Sequence, residues 1–137
     1  NLTVFGDGSL REEAESFSKK NKLSVRFLGF KKDVGEYLID TDFVFTSRYL
    51  GILESLAFKK FVFAHYNNSI KKDYLKMAPF ANFISISKDS NGVKNELEKY
   101  VLGEKSKSLR INEGYRWVKN QTWENMAETY LKLWEID

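Results

Sequence analysis

Short apolar runs alternate with helix-like stretches along the whole chain, and this alternation restricts the available folds more than any other feature. The runs fall at residues 2–5, 25–28, 43–45, 61–64 and 83–86. Each has strand length and ends at turn or loop residues such as Gly6, Gly29 or Thr46. Strands that alternate with helices build βα units, so the expected class is α/β. The expected architecture is a Rossmann-like, doubly wound, mostly parallel sheet followed by C-terminal helices. Phe43-Val44-Phe45 has no polar interruption, as suits a strand covered on both faces.

The intervening stretches carry helical signals. Ser9 with Glu12 forms a capping-box pattern, and Leu10, Ala14 and Phe17 share one face of the helix that it opens. Residues 33–40 read as a short helix carrying Val34, Tyr37 and Leu38. Residues 50–59 read as a helix with Ile52, Leu53, Leu56 and Ala57 inward, and residues 71–77 as one that stops before Pro79. The last helix has the clearest pattern, with Trp123, Met126, Ala127, Tyr130, Leu131 and Trp134 at three- and four-residue steps. No linker divides the chain, so residues 1–137 are expected to be a single domain.

Composition narrows the chemistry. A hydrophobic share of 42% with 15% aromatic residues supports a packed core and argues against disorder. With no cysteine, disulfides, thiolate metal sites and cysteine nucleophiles are excluded. With one histidine, His65, no His-plus-His zinc site can form within the chain. No metal or cofactor is therefore expected. The net charge of +3 comes from scattered lysine pairs, not a basic stripe with exposed aromatics, so nucleic acid is not an expected partner. No apolar run is long enough to span a bilayer and no signal peptide is visible, so a cytoplasmic location is expected. A peripheral membrane contact of the full-length protein remains open. The chain begins with Asn1, which suggests a piece of something longer.

Ligands of open parallel sheets bind at the carboxyl ends of the strands. That rule singles out residues 6–9, 29–32, 46–51 and 65–71. Gly6-Asp7-Gly8 follows a strand and opens a helix, where a backbone can approach a phosphate or simply turn. Ser47 can cap the next helix, and Gly51 keeps its entrance uncrowded. Glu54, one turn in, either accepts two hydrogen bonds from a ribose diol or stabilises the helix dipole. His65 and the Lys71-Lys72-Asp73 group each have an equally plain structural reading.

Taken in order, these segments resemble the C-terminal, donor-binding domain of GT-B glycosyltransferases, specifically the large retaining family 4 group. Leu2-Thr3-Val4-Phe5-Gly6-Asp7-Gly8 resembles that family's strand and GxG loop, and Val25-Arg26-Phe27-Leu28-Gly29 its V-x-F-L-G element. Leu53-Glu54-Ser55-Leu56-Ala57, followed by Lys60-Phe61-Val62-Phe63-Ala64, resembles its LEA and PVVA segments. Thr122-Trp123 with Tyr130 resembles its closing helix. The resemblance implies that Glu54 holds the nucleotide ribose. It further implies that the amides of Gly51, Ile52 and Leu53 hold the donor diphosphate, and that the loop from Leu28 through Gly29 to Phe30 borders the base. The sequence departs from the family at Thr46, where a second glutamate is usual, and in a shortened stretch from Ser47 to Glu54.

The implied partners are a nucleotide-sugar and a missing N-terminal acceptor domain, with self-association through an unpaired sheet edge as a further expectation. Two other readings stay open: a nucleotide-sugar 2-epimerase-like domain, and a non-catalytic interaction domain that retains the fold.

Overall fold

The five apolar runs form parallel strands, sorted into two sheets. The computed structural model describes residues 1–101 and 106–134. They divide into two units, Asn1–Tyr37 and Leu38–Asp137.

In the first unit, β1 (Leu2–Val4) pairs in parallel with β2 (Val25–Phe27), Leu2 opposite Val25, and α1 (Arg11–Lys20) connects them. Phe5 meets Tyr37 edge-on with ring centroids 4.9 Å apart. The capping box does not form. A turn closed by Arg11 N–H on the Gly8 carbonyl takes up Ser9, so the helix starts one residue late and Leu10 occupies the N-cap with no side-chain cap bond. The expected inner face is also rotated outward: Leu10 is 69% and Phe17 60% exposed, while Ser18 is buried with its hydroxyl on the Ala14 carbonyl. The short helix α2 (Gly35–Ile39) carries the chain into the second unit.

The second unit holds a three-stranded parallel sheet in the order β3 (Phe43–Phe45), β4 (Phe61–His65), β5 (Ser85–Ser87). Its helices are α3 (Tyr49–Ala57), α4 (Ser69–Met77), α5 (Ser90–Val101), α6 (Ser106–Val118) and α7 (Trp123–Leu133). As the central strand, β4 has Phe61, Val62, Phe63 and Ala64 all buried, which explains why that run carries no polar residue. Ile52 and Leu56 of α3 pack with Val62, Ala64, Leu75, Phe80, Ile84 and Val118 into one core. Ala57, expected on the same inner face, is exposed.

Close approach of α6 to this core depends on Gly114. A Cβ there would lie 2.9 Å from Leu56 Cδ2 and 3.0 Å from Phe83 Cβ. Phe83 was expected in the fifth strand. It closes a 3-10 turn (Ala81–Phe83) instead, its N–H on the Phe80 carbonyl, and the strand begins at Ser85. The aromatic stripe of α7 is open to solvent, with Trp123 79% exposed. No helix among the described residues is long and apolar enough to cross a membrane.

Candidate functional site

Where β3 and β4 end, two helices begin, and the loops between them form the candidate site of the second unit. The last backbone bond between the two strands runs from Thr46 N–H to the Phe63 carbonyl. Beyond it the ladder is continued by a side chain. Ser47 Oγ accepts the His65 N–H and donates to the His65 carbonyl, at 2.8 Å each way. Ser47 is therefore not the cap of α3, as the sequence suggested, because its hydroxyl is taken up by β4. Arg48 stands at the N-cap instead and makes no side-chain cap bond.

The start of α3 is consequently open. The first four N–H groups of a helix lack partners within it. Ile52 N–H is already inside the ladder, on the Arg48 carbonyl, and Arg48 N–H makes a long 3.5 Å approach to Thr46 Oγ1. The amides with no partner among the described residues are thus those of Tyr49, Leu50 and Gly51. Relative to the expected set, Gly51 keeps its amide free, whereas Ile52 and Leu53 lie one step inside the helix. Ile52 also turns its side chain into the core, and Leu53 is half-buried against it.

Gly51 is a steric requirement. A Cβ at this position would lie 2.7 Å from Thr46 Oγ1, so a side chain here would force either Thr46 or the first turn of α3 to shift. Glu54 lies one turn further on, exposed, and its carboxylate has no hydrogen-bond or ion-pair partner among the described residues. Both features suit a polar ligand laid across the helix start, where the dipole favours negative charge.

On the other side of the site, Asn68 caps α4 by accepting the Lys71 N–H at 2.8 Å. The Lys71 ammonium donates to the Ser47 carbonyl and sits 4.6 Å from the centre of the Tyr74 ring. Both partners are uncharged, so its positive charge is not neutralised by any carboxylate among the described residues. In the sequence alone, Lys71 reads equally well as a solvated residue at a helix start. Its partner lies 24 residues away, and no local pattern signals a lysine that reaches back to the end of an earlier strand. A small hollow of about 260 Å³ lined by Phe45, Thr46, Ser47, Phe63, Ala64, His65 and Val93 opens at the same end of the sheet.

The remaining expected site residues lie in the first unit, at the carboxyl ends of β1 and β2. Gly6 N–H donates to the Gly29 carbonyl at 2.8 Å, joining the two loops. Gly6 and Gly29 have φ of 122° and 68°, the left-handed region that favours glycine. Gly8 has an ordinary backbone and open space around it, so no conformation requires a glycine there. Phe30 holds its ring out into solvent. Among the described residues no group of three His, Asp or Glu side chains could hold a metal ion.

No protein-family model matches the sequence, and no curated protein matches it significantly. Among solved structures, the chain is similar to the crystal structure of TarM, a glycosyltransferase of GT-B type. The TM-score is 0.64 over 96% of this chain, at 15% sequence identity. The chain spans 28% of the length of TarM. The fold is thus α/β with parallel sheets, Rossmann-like.

Proposed function

We propose that this chain is the donor-binding portion of a GT-B glycosyltransferase of the family 4 kind, and that it binds a nucleoside-diphosphate sugar for transfer to a glycan or lipid acceptor. One observation carries the reading. The first turn of α3 is uncapped, Gly51 holds it against Thr46 at the end of β3, and an exposed Glu54, unpaired among the described residues, follows one turn on.

In this reading the diphosphate lies over the amides of Tyr49, Leu50 and Gly51, which need acceptors and are favoured by the helix dipole. Lys71 supplies a nearby positive charge that no carboxylate among the described residues neutralises. Glu54, as a carboxylate, accepts hydrogen bonds from two vicinal hydroxyls, the arrangement that a ribose offers. The family 4 resemblance supports the same roles for Glu54 and Gly51.

The acceptor is assigned to a part of the full-length protein outside these residues, and the reaction needs no metal or cofactor in this reading. The full-length protein is taken to act in the cytoplasm, with any membrane contact peripheral. A second reading, a non-catalytic interaction domain, is favoured by the solvent-exposed stripe of Trp123, Tyr130 and Trp134 on α7. Titration of the full-length protein with UDP, GDP, ADP and their sugars, followed by calorimetry, separates the two. Saturable binding of one nucleotide supports the donor site, and no binding by any of them leaves the interaction domain.

A further inference from the structure

A second hollow of the same unit lies away from the start of α3, along β5. It measures about 480 Å³ and is lined by β5, by α5 and by Arg110 of α6. Its walls are polar, where a helix packed on a sheet normally presents apolar residues. Gly92, Asn95, Glu96 and Lys99 stand at three- and four-residue steps and form one stripe of α5 along it. The apolar positions of α5 are turned elsewhere: Val93 lines the smaller hollow, and Tyr100 meets the rings of Phe43 and Phe61.

Ser85 and Ser87 alternate with Ile86 and so share one face of β5. Both line the hollow, they are only 4% and 8% exposed, and neither hydroxyl has a partner among the described residues. Buried hydroxyls without a partner are costly, and folded proteins keep few of them. A Cβ at Gly92 would lie 3.0 Å from Ser87 Oγ and crowd it. Arg110 closes one end of the hollow. Its Nη2 donates to the Ile84 carbonyl, its guanidinium lies 5.3 Å from the centre of the Phe61 ring, and its Nη1 is 3.8 Å from Glu96. Most of its N–H donors are left without a hydrogen bond among the described residues. Lys99 approaches the same carboxylate at 3.2 Å. Two cations against one carboxylate leave the lining with a net charge of +1.

We infer that this hollow is a binding site for a small hydroxylated carboxylate, of the sugar-acid class. Charge selects the class. One negative charge matches the surplus of the lining, whereas a phosphate monoester brings nearly two and would meet Glu96 uncompensated. The ligand carboxylate accepts from Arg110 and from Ser85, the neighbour of the residue whose carbonyl positions the guanidinium. Its hydroxyl groups are taken by Glu96, Asn95 and Ser87, which supply both acceptors and donors. The volume falls within the usual range for small-ligand sites, about 300–1,000 Å³. None of these residues belongs to the start of α3, so the inference stands or falls independently of the proposed donor.

Calorimetric titration of the full-length protein with glucuronate, and with glucose as the neutral counterpart, tests this. The expected result is saturable binding of glucuronate with a Kd of about 1 mM or below, and binding of glucose at least about tenfold weaker. Ser85→Ala and Arg110→Met should each weaken glucuronate binding at least about tenfold. Ser85→Ala should also keep or raise the midpoint of urea unfolding, because the hydroxyl that it removes has no protein partner. Its loss of binding is then not a loss of folding. No binding of glucuronate, equal affinity for glucose, or wild-type affinity in Ser85→Ala each overturns the inference. A lowered urea midpoint in Ser85→Ala overturns it as well, since the hydroxyl would then serve the fold.

Discussion

The Ser47 hydroxyl holds the backbone of His65 from both sides, taking its N–H and giving its own proton to the carbonyl, at 2.8 Å each. One side chain thereby extends the β3–β4 ladder past the point where the main chain leaves it for α3. The Ser47 carbonyl receives the Lys71 ammonium, so the same residue ties down the start of α4. The positions of two helix starts thus depend on a residue that only seemed to cap one of them.

Ser47→Ala should therefore lower stability by about 1–2 kcal/mol, the usual cost of losing a hydrogen-bonded pair whose partners stay partly accessible. Ser47→Thr, which keeps the hydroxyl, should recover most of it. Urea unfolding of the three proteins provides the comparison. Equal midpoints for wild type and Ser47→Ala would mean that water replaces the hydroxyl without cost.

Gly51→Ala places a methyl group 2.7 Å from Thr46 Oγ1 and should cost about 1–3 kcal/mol in stability despite the better helix propensity of alanine. Adding Thr46→Ala removes the obstructing atom. A double-mutant cycle should then return a favourable coupling of about 1 kcal/mol or more. Additive effects would show that the two residues do not meet.

How far the sequence revealed this protein differs from element to element. β4 was legible because it is central, so that Phe61 to Ala64 are all buried and no polar residue interrupts them. The inward positions of α3 at Ile52 and Leu56 followed from helical spacing for the same reason. Phe83 misled because an apolar residue in a 3-10 turn beneath Trp117 looks, in sequence, like the start of a strand. Leu10 and Phe17 misled because periodicity identifies an apolar face but not what covers it. At the candidate site, the close approach of Gly51 to Thr46 and the exposure of Glu54 agree with helical spacing, which by itself assigns neither residue a ligand. The clamp of Ser47 on His65 and the reach of Lys71 could not be read from spacing, since they join residues 18 and 24 positions apart through the fold.

Alkaline pH should destabilise the protein through Tyr74 and Tyr100. Burial, with a smaller contribution from Asp42, raises the Tyr100 hydroxyl above its ordinary value of 10.0. Burial, with a smaller contribution from Tyr49, does the same for Tyr74. The folded state thus holds these protons more tightly than the unfolded state. Stability from this source is complete below pH 10.0 and falls as pH rises through the raised folded values. Tyr100→Phe should flatten part of that fall while costing about 1 kcal/mol at neutral pH for the lost bond to the Asp42 carbonyl. Melting curves across neutral to strongly alkaline pH test this, and an unchanged alkaline slope in the variant would contradict it.

The 137-residue chain by itself should transfer no sugar, because transfer requires donor and acceptor to be held together and that positioning supplies about 7–11 kcal/mol of the barrier. Chelator should leave nucleotide binding by the full-length protein unchanged. Steady turnover by the chain alone with any donor and a generic lipid or sugar acceptor would put the acceptor site within these residues. Loss of binding with chelator would reveal a metal.

The measurement closest to the central claim is calorimetric titration of the full-length protein and its Glu54→Gln variant with UDP, GDP and ADP. The expected result is saturable binding of one of the three, weakened about tenfold to a hundredfold in the variant through loss of a charge-assisted hydrogen bond to the ribose. Binding of none of them, or equal affinity in wild type and variant, would contradict a donor site built on the start of α3 and would leave Glu54 as a charge that only stabilises its own helix.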